Sequence, residues 1–214
     1  MKQAETGYVY KELAGSYDRQ VREYNSYVHD VLFGMSFEFV KASEKLLDIG
    51  IGTGLASIKF SKLGLKVFGL DSSQEMLDAC KSKKFAQALE LYDLNAVPIP
   101  YEDKYFNHVI CCGVMHFFGN LEDLFKEAAR VIKPDGIFSF TIAPHNKEVS
   151  FIKEDTSWGV PIFKHSPEYI MGLLSENGFV LQKEQRLLMK GADKVNFDML
   201  FSAFVVRYQQ VYRQ

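Results

Sequence analysis

A chain of 214 residues fits one domain of ordinary size, and its 47% hydrophobic residues, with 18 Phe and 11 Tyr, supply a sizeable core and argue against disorder. The 25 basic against 27 acidic residues leave a formal charge of -2, without the broad positive field on which nonspecific nucleic-acid binding relies. Cys80, Cys111 and Cys112 form neither a disulfide framework nor a metal-ligand spacing, the N-terminus has no apolar leader, and no window approaches ~18 uninterrupted apolar residues. The expectation is a soluble, cytoplasmic protein with reduced thiols, no metal and no membrane or nucleic-acid partner, working as a monomer or homodimer.

From Gly15 to about Lys41, Tyr17, Val21, Tyr24, Val28, Val31, Leu32 and Met35 recur at intervals of three and four, which predicts one or two amphipathic helices. Lys45 to Ile49 is a short apolar run ended by glycines, a buried strand, and Leu55 to Phe60 resumes a helical pattern that stops near Gly64. Leu65 to Leu70 reads as the second strand, with Ser72 or Ser73 capping a helix that carries Met76, Leu77 and Cys80. Ala88 to Tyr92 and Phe106 to Cys112 are the third and fourth strands, Leu121 to Ile132 an amphipathic helix, and Ile137 to Ile142 the fifth strand. The pattern lapses after Ala143, so a cap or long loop is expected up to helix Pro167 to Glu176. Phe179 to Met189 and Phe197 to Tyr208 are strand-like with no helix between them, and should pair antiparallel. Strands alternating with helices imply an α/β fold whose parallel sheet is covered on both faces.

In such sheets a ligand sits beyond the carboxyl ends of the strands. Gly50, Gly52 and Gly54 fall in the turn after the first strand, Asp71 ends the second strand and Asp93 the third. Asp71 follows the glycine turn at close to the ~20-residue spacing that places a carboxylate on the hydroxyls of a ribose, so an adenosine-bearing cofactor is expected. Asp48, before the first glycine, is badly placed for a pyrophosphate but well placed for the ammonium of a methionine moiety. The glycines run Gly-x-Gly-x-Gly, which differs from the dinucleotide spacing. Both details favour S-adenosylmethionine.

These segments resemble the class I S-adenosylmethionine-dependent methyltransferases, in the broad group that includes the ubiquinone and menaquinone enzymes. The resemblance rests on Leu46 to Gly54, Gly69 to Leu77, Asp93-Leu94, Phe106 to Phe118 and Leu124 to Gly136, in that order. It implies a Rossmann-like sheet of seven strands with the last one antiparallel. It further implies that Asp48, Gly50 and Gly52 hold the methionine end, and that Asp71 takes the ribose hydroxyls. Ser72 and Met76 would flank the adenine, with Asp93 and the Leu94 amide at its edge and Cys112 passing under the sulfonium. N-terminal helices close over the cofactor in this family, which makes Tyr17 and Tyr24 candidates for the acceptor side.

A sulfonium is already activated, so a base is needed only where the acceptor loses a proton. His116, after the fourth strand, and His145, after the fifth, are the candidates; His145 also stands as an acceptor contact, and either histidine has a purely structural alternative. The whole chain reads as one domain: 1–43 a helical lid, 44–142 the cofactor core, 143–165 a substrate cap, and 166–214 a helix with an antiparallel pair. The expected function is methyl transfer from S-adenosylmethionine to a small-molecule acceptor, leaving S-adenosylhomocysteine. The alternatives are a binding module without turnover and an NAD-dependent oxidoreductase.

Overall fold

In a computed structural model, residues 14–23, 26–156, 159–189 and 199–209 are described. The alternation of apolar runs and amphipathic stretches becomes seven strands in one sheet: β1 (Lys45–Ile49), β2 (Lys66–Asp71), β3 (Ala86–Leu91), β4 (His108–Cys111), β5 (Ile137–Ile142), β8 (Phe179–Met189) and β9 (Met199–Tyr208). Their order is β3-β2-β1-β4-β5-β9-β8, in which β9 pairs antiparallel with both neighbours. The order reverses at β1, so a crevice opens between the carboxyl ends of β1 and β4, where the glycine turn lies.

Alternation along the strands sends residues to two faces. Leu47, Ile49, Val109, Phe138 and Phe140 pack with Phe125, Ala128 and Val131 of α5 (Glu122–Val131) and with Ile170, Leu173 and Leu174 of α6 (Pro167–Glu176). On the opposite face Leu46, Val67 and Ile110 pack with Phe60 of α3 (Ile58–Lys62) and with Leu77 and Cys80 of α4 (Gln74–Ser82). Leu32 and Met35 of α2 (Val28–Ser36) close that face over Ile137, Ala203 and Val205. A shorter helix, α1 (Tyr17–Glu23), precedes α2; none of its residues is fully buried, and Tyr17 is half-buried.

Local chemistry sets the boundaries. Ser73, rather than Ser72, caps α4, its hydroxyl accepting from the Met76 amide at 3.2 Å. Ser166 does the same for α6 ahead of Pro167. The helix expected from Leu55 is only the short α3, because residues 51–57 are consumed by turns.

The stretch 143–165, expected as an irregular cap, contains a hairpin of β6 (Phe151–Glu154) and β7 (Ile162–His165), a separate two-stranded sheet. Its far strand is anchored to the end of β5 by His165 N donating to Ala143 O and His145 N to His165 O. Tyr24 lies outside the described residues. No described helix is long and apolar enough to cross a membrane.

Candidate functional site

The crevice beyond β1 and β4 is a cavity of about 400 Å³, a size suited to a cofactor-sized ligand. Its floor is the turn after β1. Gly52, with φ +54° and open space where a Cβ would stand, donates its amide to Asp71 Oδ2 at 2.8 Å. Asp71 Oδ1 accepts from the Ser73 amide at 2.9 Å, so the carboxylate ties the end of β2 to the glycine turn while keeping lone pairs free for the cavity. Gly54 does not line the cavity: a Cβ there would meet Phe85 and Cys80 at under 3 Å, so its role is to let the turn pack.

Asp48 is the most informative side chain in the cavity wall. It is 1% exposed, and its Oδ2 has no hydrogen-bond partner. Burial pushes its pKa up to about 7; the nearby Ser57 hydroxyl opposes the shift and Asp71 adds to it. A buried carboxylate oxygen without a donor costs free energy unless a cation or proton meets it. A ligand ammonium entering beside Gly50 would supply that partner.

Of the other expected residues, Tyr17, Ser72, Met76, Leu94 and Cys112 all line the cavity. Burial pushes the Tyr17 hydroxyl up to about 12 and the Cys112 thiol well above its ordinary range, so neither is ionised at neutral pH. Asp93 is exposed and not among the lining residues; its Oδ1 accepts from the Asn95 amide at 2.8 Å, which turns the chain and brings Leu94 and Asn95 to the wall instead.

The two candidate bases are not brought to the cavity. His116 is buried with its ring 4.1 Å from that of Phe117; burial, with a smaller contribution from His165, pulls its pKa down to about 3. His145 is buried too, its Nδ1 accepting from the Lys147 amide. Their chain neighbours Phe117 and Phe118 form the wall.

Residues that sequence reasoning missed complete the site. His29, on the first turn of α2, and Lys153, Val160, Pro161 and Phe163, from the β6–β7 hairpin, also line the cavity. Thr53, also lining, donates its hydroxyl to Asp18 Oδ1 at 2.6 Å, and Lys83 Nζ bonds both Asp18 Oδ2 and Thr53 O. This triad fastens α1, and with it Tyr17, over the glycine turn. The only local signal for His29 was its place beside Val28 in the predicted helix; its position in the cavity depends on how that helix docks. Among the described residues no cluster of His, Cys, Asp and Glu is arranged to hold a metal ion.

Known proteins resemble this chain in sequence and in fold. Residues 47–140 match the methyltransferase-domain family. A demethylmenaquinone methyltransferase of Oceanobacillus iheyensis is 32% identical over 63% of this chain and 60% of its own length. The uncharacterized methyltransferase YcgJ of Bacillus subtilis is 30% identical over 46% and 40%. The chain thus spans about half the length of the relatives it matches. A crystal structure of a Burkholderia thailandensis 1,6-didemethyltoxoflavin-N1-methyltransferase, with that substrate and S-adenosylhomocysteine bound, superposes with a TM-score of 0.71 at 12% identity, covering 97% of this chain and 87% of its own. At that identity the likeness is one of fold.

Proposed function

Residues 47–140 match the methyltransferase-domain family, and we propose that this chain is an S-adenosylmethionine-dependent methyltransferase that transfers a methyl group from that cofactor to a small-molecule acceptor. The observation that carries the reading is the buried, unpartnered oxygen of Asp48 beside a glycine turn whose Gly52 amide is bound by Asp71. Asp48 takes the cofactor's ammonium, the open face of Gly52 admits its backbone, and Asp71 accepts from the ribose hydroxyls. Met76, Ser72 and Leu94 enclose the adenine. When bound, the cofactor supplies a methyl group already activated by its sulfonium.

What remains for the protein is to hold an acceptor in line and exclude water. Phe117, Phe118, Val160, Pro161 and Phe163 contribute apolar side chains to the cavity lining, which suits an apolar or planar acceptor. Helices α1 and α2 serve as the lid and the β6–β7 hairpin as the acceptor wall.

Two measurements test the reading. S-adenosylhomocysteine, and not NAD, should raise the melting temperature, by an amount corresponding to about 2.7 kcal/mol at a hundredfold excess over Kd. Labelled S-adenosylmethionine offered with a panel of small planar acceptors should yield a methylated product. Stabilisation by NAD alone, or tight cofactor binding with no product from any acceptor, would replace this reading by the oxidoreductase or the non-catalytic module.

A further inference from the structure

Six titratable side chains line the cavity: Tyr17, His29, Asp48, Asp71, Cys112 and Lys153. Resting on the reading above, Asp48 and Asp71 are engaged by the cofactor. The Tyr17 hydroxyl and the Cys112 thiol keep their protons, and an ammonium such as that of Lys153 has no lone pair to receive one. His29 is left. From its place in the cavity wall and the absence of any other free base there, we propose that His29 takes the proton from a protic methyl acceptor, such as a hydroxyl on a flat apolar frame.

The position of His29 is fixed by its helix. Val28, the preceding residue, is buried against Ala143, Ile162 and Phe201 in a cluster that Cys112 joins, and Leu32, one turn on, packs over β5 and β9 with Cys112 again at its edge. His29 is thereby held in the wall of the same cavity that Cys112 lines, on a helix whose neighbouring residues pack against Cys112. Neither of its ring nitrogens is hydrogen-bonded among the described residues, so a lone pair is available.

The groups that face it are Asp30, Asp18 and Lys59 from the helices and Tyr17, Cys112 and Lys153 from the cavity walls. Burial lowers the pKa of the imidazole, and Lys59 acts in the same sense against Asp30 and Asp18. The ring is therefore neutral at pH 7. In the step, the acceptor oxygen forms its bond to the methyl carbon as the carbon–sulfur bond breaks. The electron pair of that bond stays on sulfur, leaving a neutral thioether, and the hydroxyl proton passes to His29 and then to water.

The first test needs no acceptor. The His29 imidazole, its NMR signals assigned by their loss in His29→Gln, is titrated in complexes with S-adenosylhomocysteine and with S-adenosylmethionine. A nearby sulfonium opposes protonation, so titration should occur at lower pH with the methylated cofactor, by about half a pH unit. The same titration in both complexes would overturn the placement.

The second test compares wild type with His29→Gln on phenols. For a phenol ionising near pH 10 the variant should lose ~10²- to 10⁴-fold in kcat, while a nitrophenol already ionised at pH 7.5 should be methylated equally well. Affinity for S-adenosylhomocysteine should be unchanged, showing that the variant folds. Equal loss on both acceptors, or loss on neither, would overturn the base assignment. Should wild type methylate no acceptor at all, the transfer reading falls, while the NMR comparison still decides whether His29 faces the sulfonium.

Discussion

Asp48 and Asp71 are both carboxylates at strand ends whose pKa burial raises, but backbone amides oppose the shift at Asp71. Asp71 keeps two backbone amide donors, whereas Asp48 has an oxygen with none and titrates near 7. Cofactor binding places an ammonium against Asp48 and stabilises its charged form, so binding at pH 6.5–7 should release a proton. Calorimetry in buffers of different ionisation enthalpy measures that release directly. Its persistence in Asp48→Asn would assign the proton elsewhere. Asp71→Ala removes a charged acceptor from the ribose and strands the Gly52 and Ser73 amides; cofactor affinity should fall by on the order of 1.5–3 kcal/mol. An unchanged Kd would remove Asp71 from the site. These residues were legible in the sequence because strand ends are fixed by short apolar runs and the glycines mark the turn. Asp93 was placed by the same logic, and the outcome differs because its carboxylate satisfies the following turn, leaving Leu94 and Asn95 at the wall.

At the scale of elements, strands β1, β2 and β5 lie within a residue of where the apolar runs placed them, because β1 and β5 are buried along nearly all their length and β2 buries Val67, Gly69 and Leu70. The β6–β7 hairpin could not be read that way. Phe151, Lys153 and Glu154 are exposed, so β6 carries no burial alternation, and the hairpin exists through pairing with β7 and the anchoring of His165 to β5. His29 escaped for the same reason: its role depends on where α2 docks. Helix α1 raises a different question, since none of its residues is fully buried, Tyr17 being half-buried, and it still lies over the glycine turn. Its attachment there is polar, through Asp18 to Thr53 and Lys83. Asp18→Ala should therefore loosen the lid without disturbing the sheet. S-adenosylhomocysteine should dissociate faster, on the order of tenfold, which corresponds to about 1.4 kcal/mol. Stopped-flow displacement reads this rate, and an unaltered rate would mean that α1 does not gate the cavity.

For the molecule as a whole, the buried ionisable groups oppose one another in their effect on stability. His116 and His165 titrate at about 3 and 4 in the fold, both lowered chiefly by burial from an ordinary 6.5. Below pH 6.5 the unfolded chain binds protons that the fold refuses, so their contribution is fully present above 6.5 and is lost as pH falls towards 4. Burial lowers His108 and His29 in the same direction. Asp48 acts with the opposite sign: the fold holds its proton up to about 7 while the unfolded chain gives it up near 3.8, so its contribution is lost as pH rises through 7. Burial raises Asp71 in the same direction as Asp48, but the four histidines outnumber the two carboxylates, and the free protein should be most stable near pH 6.5–7, losing on the order of 2–5 kcal/mol by pH 4.5. Urea unfolding at the two pH values measures the difference. His116→Phe identifies its source, because it removes a buried ring nitrogen that has no partner while keeping an aromatic ring against Phe117 and Phe201. The variant should lose less stability on acidification than wild type. An identical loss in both proteins would show that the acid sensitivity arises outside the buried histidines.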